Sequence, residues 1–155
     1  MTPVPHGNPA SAVIDTNAIL DWLVFRESTA IFGRAIETGA LRWMATPPML
    51  LECQRLFASS SLAHWRPDAA RLEAAWTRWA HVETSAIPCG PLRCTDTDDQ
   101  MFIDLALARR TPWLLTRDRA LLKLAKRAER LGVRIRTPSA WAREAQTIPA
   151  DTHPG

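Results

Sequence analysis

"SAVIDTNAIL", Ser11 to Leu20, closes a short apolar run on an aspartate and then resumes with apolar residues at a different spacing. Ala12, Val13 and Ile14 are uninterrupted, the pattern of a strand buried on both faces, as parallel sheets require. From Asn17 to Phe25 the residues Ile19, Leu20, Leu23 and Val24 recur at helical intervals. A strand feeding a helix is therefore the opening unit, with Asp15 at the joint. A carboxylate there can cap the helix, hold a metal or act on a substrate, and these ten residues leave all three open.

The same alternation continues outward. A helix is predicted from Ser28 to Thr38, stopped by Gly39, followed by the strand "LRWMAT" and by Pro47 and Pro48 in the first turn of the next helix, "MLLECQRLFASS". "PDAARLEAAWTRWAHV" reads as an amphipathic helix with Leu72, Ala75, Trp76 and Trp79 on its inner face, and "VETSAI" as a short strand. "TDTDDQMFIDLALARR" is helical, "WLLT" is a strand, "RALLKLAKRAERLG" is a helix opened by Asp118, and "VRIRTP" is a last strand before a short helix near Trp141. Strands alternating with helices specify an α/β domain with a mostly parallel sheet. The Pro- and Gly-rich segment 1–9 is expected to be a flexible arm and 147–155 a flexible tail, with the folded unit spanning 10–146.

At 155 residues, 46% hydrophobic and 23% charged, the chain has the balance of one globular domain. Only Lys123 and Lys126 among 19 basic side chains are lysines. Arginine suits phosphate and base recognition, but high-GC coding produces the same bias, and a net charge of +3 does not separate the two. Cys53, Cys89 and Cys94 form no CxxC pair, and no histidine lies at zinc-ligand spacing from them. Reduced thiols and the lack of a signal-peptide pattern at the start predict a cytoplasmic protein; no apolar run is long enough for a membrane span.

Ligands of open parallel sheets gather beyond the carboxyl ends of strands, where Asp15 and Asp118 both fall. Asp96, Asp98 and Asp99 open a helix, where capping is the ordinary role of an aspartate. Glu52 interrupts an otherwise apolar helix face. Taken in order these acids form a set whose mutual repulsion calls for a cation, and oxygen-only ligands select Mg²⁺ or Mn²⁺. Such sites hydrolyse phosphodiesters without a nucleophilic Ser or Cys.

"VIDTN" with Asp15 and Asn17, "PPMLLECQRL" with Glu52, and "DTDDQMFIDLALARRTPWLLTRD" with Asp99, Thr116 and Asp118 together resemble the PIN-domain family, and within it the VapC-like ribonuclease toxins of toxin–antitoxin pairs. The resemblance implies a three-layer α/β/α sandwich and a magnesium- or manganese-dependent endoribonuclease acting on RNA. It also implies a homodimer and inhibition by a small antitoxin protein. Carried over residue by residue, Asp15, Glu52, Asp99 and Asp118 take the catalytic and metal positions, and Asn17 and Thr116 orient them. Some relatives carry a further acid two positions after the last aspartate, where this chain has Ala120; Asp96 or Asp98 are the acids available to compensate. Arg117 and Arg119 are candidates for RNA phosphate. A non-catalytic interaction module on the same fold and a housekeeping RNA-processing nuclease remain the alternatives. A phospho-accepting receiver or a DxDxT phosphatase is disfavoured by "VIDTNAIL", which has neither pattern.

Overall fold

A computed structural model describes residues 10–27 and 30–147, with the side chains of 146 and 147 excepted. The expected arm at 1–9 and nearly all of the expected tail lie outside the described residues; the last helix runs through Thr147. In chain order the elements are β1 (Ala10–Ile14), α1 (Thr16–Leu20), α2 (Ile31–Thr38), β2 (Leu41–Ala45), α3 (Pro47–Phe57), α4 (Ala69–Trp79) and β3 (Ala80–Val82), then α5 (Gln100–Ala108), β4 (Trp113–Leu115), α6 (Arg119–Leu122), α7 (Ala125–Arg130), β5 (Arg134–Arg136) and α8 (Pro138–Thr147).

The five strands form one all-parallel sheet in the order β3-β2-β1-β4-β5, with Ile14 level with Leu115 and Val13 level with both Met44 and Leu114. Helices packed on it complete a three-layer α/β/α sandwich, α2 lying on β2, α5 on β1 and β4, and α7 and α8 on β5. The central strand is buried throughout its second half, Ala12 and Val13 being fully enclosed and Ile14 nearly so. Phe32, Phe102, Ile103, Leu105, Leu114, Leu115 and Leu121 fill the layers on either side, each burial contributing about 1.5–3 kcal/mol. The chain runs outward from β1 to β3 and then crosses back to place β4 on the other side of β1. The strand order reverses between β1 and β4, and their carboxyl ends open the crevice where ligands of such sheets bind.

Four local features depart from the sequence reading. The strand expected in "VETSAI" is instead Ala80–Val82, directly abutting α4: Trp43, Met44 and Ala45 of β2 pair with Ala80, His81 and Val82, and only the Glu83 N–H extends the ladder, to Ala45 O. The helical spacing of Trp76 and Trp79 had masked that switch. The helix expected over "RALLKLAKRAERLG" is broken into α6 and α7 by a tighter bond from Leu124 N–H to Leu121 O, which turns both leucines inward. The helix expected from Ser28 begins at Ile31, and Ser28 and Thr29 lie outside the described residues. After Leu20, α1 widens into a π-helical turn, Asp21–Phe25, closed by an Arg26 N–H to Asp21 O bond.

Trp22, buried on that turn, is the hub of an aromatic cluster. It meets Phe32, Trp43 and Trp79 at ring separations of 6.0, 5.6 and 6.0 Å, and its Nε1–H donates to Glu37 Oε2 at 3.1 Å. Trp76 packs edge-on against Trp43, so Trp76 and Trp79 belong to the packing of α4 on the sheet.

Candidate active site

Asp15 follows the last residue of β1, and its backbone N–H still bonds to Leu115 O of β4 at 2.9 Å. It stands at the start of α1 without capping it through its side chain. Its carboxylate, 2% exposed as a residue, accepts from the Thr116 hydroxyl at 2.5 Å through Oδ2. Burial pushes its pKa up to about 6, against the pull of Thr116 and of the Asn17 backbone N–H, and the negative charges of Asp118 and Glu52 push in the same direction as burial. Asn17, expected to orient the acids, meets Asp15 through its main-chain N–H.

Thr116 is fully buried at the end of β4 and is fixed twice. Its hydroxyl donates to Asp15 and accepts the Asp118 N–H at 2.8 Å. Asp118 then opens α6, where Oδ1 accepts the Ala120 N–H at 2.7 Å. It is therefore a helix cap as well as a member of the acidic group.

One carboxylate oxygen from each of Asp96, Asp99 and Asp118 lies within 4.8 Å of the others. Asp96 caps the short turn Thr97–Asp99 by accepting the Asp98 N–H at 3.0 Å, whereas Asp99, at the start of α5, caps nothing. Asp99 Oδ2 is buried and has no donor within reach. Burial first, then the abutting Asp118 carboxyl and the charge of Asp15, hold Asp99 far above the usual carboxylate range, while contact with Asp99 holds Asp118 below it. Two carboxyls in that relation share one proton. A divalent cation satisfies the same oxygens in place of the proton, and an all-oxygen donor set containing an orphaned buried oxygen fits Mg²⁺ or Mn²⁺.

Glu52 reaches the rim from α3 and is half-buried. It accepts the Thr16 hydroxyl at 2.6 Å through Oε1. Its charge is felt at Asp15, but it stands apart from the trio of aspartates. With Asp98, Thr97, Arg55 and the apolar Pro48, Leu51 and Met101, it lines a cleft of about 580 Å³. Asp98 is exposed on that wall.

The two candidate phosphate ligands separate. Arg119 is exposed beside Asp118, whereas Arg117 turns back onto α1, where Nε and Nη2 bind Asp21 Oδ2 and Oδ1 at 2.7 and 3.0 Å. Asp21 and Thr16 are the site-bordering residues that sequence reasoning passed over. The signal for Thr16 was a hydroxyl directly after Asp15; Asp21 carried only the oddity of an acid on an apolar helix.

A family model described as PIN domain matches residues 11–120, from β1 into the first turn of α6, and so takes in every carboxylate described above. No curated protein matches the chain.

Proposed function

The chain belongs to the PIN-domain family, a nuclease-type fold, and from that premise we propose that it is a metal-dependent endoribonuclease that hydrolyses RNA phosphodiester bonds. The observation that carries this reading is the acidic trio: one carboxylate oxygen from each of Asp96, Asp99 and Asp118 lies within 4.8 Å of the others, and the buried Oδ2 of Asp99 has no hydrogen-bond partner. Asp96, Asp99 and Asp118 would hold the ion, Asp15 would stand beside it, and Glu52 would reach the substrate from the opposite wall. Bound Mg²⁺ or Mn²⁺ supplies a water of lowered pKa and neutralises charge on a phosphodiester.

The protein's own contribution is order and exclusion. Thr116 anchors Asp15 through Oδ2 and fixes Asp118 through its main chain. Thr16 aims Glu52 in the same way. Asp118 caps α6 through Oδ1 while one of its oxygens belongs to the acidic cluster. Carboxylates held by short hydrogen bonds need little rearrangement when a cation replaces the shared proton.

The finer reading follows the resemblance: a toxin of a toxin–antitoxin pair, cytoplasmic, dimeric, and silenced by a small protein whose cationic side chain enters the acidic crevice. Among the described residues no helix is long and apolar enough to cross a membrane.

The test is cleavage of a mixed-sequence single-stranded RNA with Mg²⁺, with Mn²⁺ and with EDTA, for the wild type and for Asp99→Asn. Cleavage by the wild type with metal alone supports the proposal. Cleavage that persists in EDTA, or equally in Asp99→Asn, overturns it.

A further inference from the structure

Next to the Arg117–Asp21 pair lies an aromatic ring with arginines in the cavities on either side. Trp65 ends a short 3₁₀ turn, Ser60–Trp65, and is 48% exposed. Phe25 meets its ring at 4.6 Å, edge to face, and His64 lies 5.2 Å away. The ring is held in place yet open to solvent.

Two cavities flank it. One, of about 400 Å³, is lined by Asp21, Phe25, Glu27, Trp65 and Arg117. The other, of about 350 Å³, brings Arg26, Arg66 and Arg71 to the far side of Trp65. Of the acids present, Asp21 is paired with Arg117, Asp68 caps α4 by accepting the Ala70 N–H at 3.0 Å, and Glu27 is uncommitted among the described residues, so that four arginines face three acids around the ring. Arg26 and Arg66 form no ion pair among the described residues, and Arg71 Nε is buried without a partner. Both Arg26 and Arg66 hold left-handed backbone, φ 52° and 49°, at helix ends where glycine or asparagine is the unstrained choice.

We propose that this face is the track for a single-stranded RNA segment flanking the cleaved bond, with one base stacked on Trp65 and the neighbouring phosphates held by Arg26, Arg66 and Arg71. The inference rests on the ribonuclease reading above. A crevice of carboxylates repels every phosphate except the one its cation faces, so the cations that hold the strand have to lie to the side. Arg117 joins the two regions: it sits in sequence between Thr116 and Asp118 of the crevice, and its guanidinium lines the Trp65 cavity. An anchored aromatic ring ringed by guanidinium groups is the chemistry that binds single strands without regard to sequence.

The test uses a fluorescein-labelled single-stranded RNA oligonucleotide of about 10 nucleotides, with anisotropy read in EDTA, where metal-dependent cleavage is switched off. The wild type binds, and Trp65→Ala and Arg66→Glu each weaken binding by about tenfold or more, while Trp65→Phe retains most of it. On cleavable RNA with Mg²⁺ the first two variants raise KM far more than they lower kcat. A wild type that fails to bind, or variants with unchanged affinity and KM, overturns the track; a surface that serves a protein partner gives that second result. Neither outcome touches the nuclease reading, which is judged separately by metal-dependent cleavage in the wild type. Trp65-dependent binding by a protein that cleaves nothing leaves the track standing and removes the catalysis.

Discussion

The Thr116 hydroxyl donates to Asp15 Oδ2 at 2.5 Å across 101 positions of sequence, and it joins the two strand ends between which the strand order reverses. The same oxygen accepts the Asp118 N–H, so a single side chain sets the distance between the first and last acids of the crevice. Thr16 does the equivalent for Glu52 on the other wall. The carboxylates are thus held by neutral hydroxyls, which leave the negative charge for a cation to neutralise.

Replacing Thr116 with Val keeps shape and removes both bonds. Cleavage is expected to fall about 10- to 100-fold, with stability lower by about 1–3 kcal/mol from the stranded Asp118 N–H and Asp15 oxygen. Thr116→Ser should recover most of the activity. Steady-state cleavage beside a urea titration separates the two effects, and a Val variant with wild-type activity would remove Thr116 from the site.

Much of this arrangement was legible in the chain. The apolar runs before Asp15 and Thr116 fixed both as strand ends, and strand-helix alternation carried the parallel sheet. What could not be read was direction. Nothing in "TRD" tells that Arg117 turns away toward Asp21 while its neighbours face the crevice, because that depends on a π-helical turn contributed by Asp21–Phe25. Nor does "DTDD" distinguish its members. Asp96 both caps and joins the cluster, Asp98 stays in solvent, and Asp99 is buried without capping, a division set by the 3₁₀ turn that precedes α5. The edge strand Ala80–Val82 was hidden because it has one partner strand and an abutting helix with matching spacing.

Arg117→Met should act on stability before it acts on RNA. Asp21 is 3% exposed and its two oxygens both depend on Arg117, so the variant strands a buried carboxylate. Because the arginine is itself half exposed and water can reach it, a loss of about 2–3 kcal/mol is expected rather than the full cost of a broken interior pair. The double variant with Asp21→Asn should regain a large part of that loss. Chemical denaturation of the three proteins checks it; additive losses would mean that the pair is not coupled.

Gly33→Ala probes the aromatic hub. A Cβ at this position of α2 would run into the Trp22 indole, which is locked by Phe32, Trp43 and Trp79 and by its bond to Glu37. The usual helix-propensity gain of alanine over glycine, about 1 kcal/mol, is outweighed by overpacking of about 1–3 kcal/mol or more. A melting temperature at or above that of the wild type would show that α2 can shift away from Trp22.

The acidic crevice makes the metal-free protein sensitive to pH in a defined direction. Asp15 is raised by burial from 3.8 to about 6, and Asp99 is raised further by burial and by Asp118. A carboxyl whose folded pKa lies above its unfolded value lends its stability below the unfolded value and loses it as pH rises through the folded one. In EDTA the protein should therefore weaken as pH climbs from about 4 through about 9, with the share of Asp15, roughly 3 kcal/mol, lost by about pH 7. The lowered Asp118 opposes this in part. Cation binding has to displace the proton shared by Asp99 and Asp118, so Mg²⁺ should bind more tightly as pH rises and should restore the stability lost. At ten times its Kd the ion adds about 1.4 kcal/mol, a rise of about 3–6 °C in Tm for a chain of this size. Asp99→Asn should melt as high as the wild type or higher in EDTA at neutral pH, show a shallower pH dependence, and gain little from Mg²⁺ or Mn²⁺. Melting curves of both proteins across pH, with EDTA and with each metal, read all of these at once. A wild type whose midpoint ignores both pH and millimolar metal would mean that the crevice holds neither repelling carboxylates nor a cation.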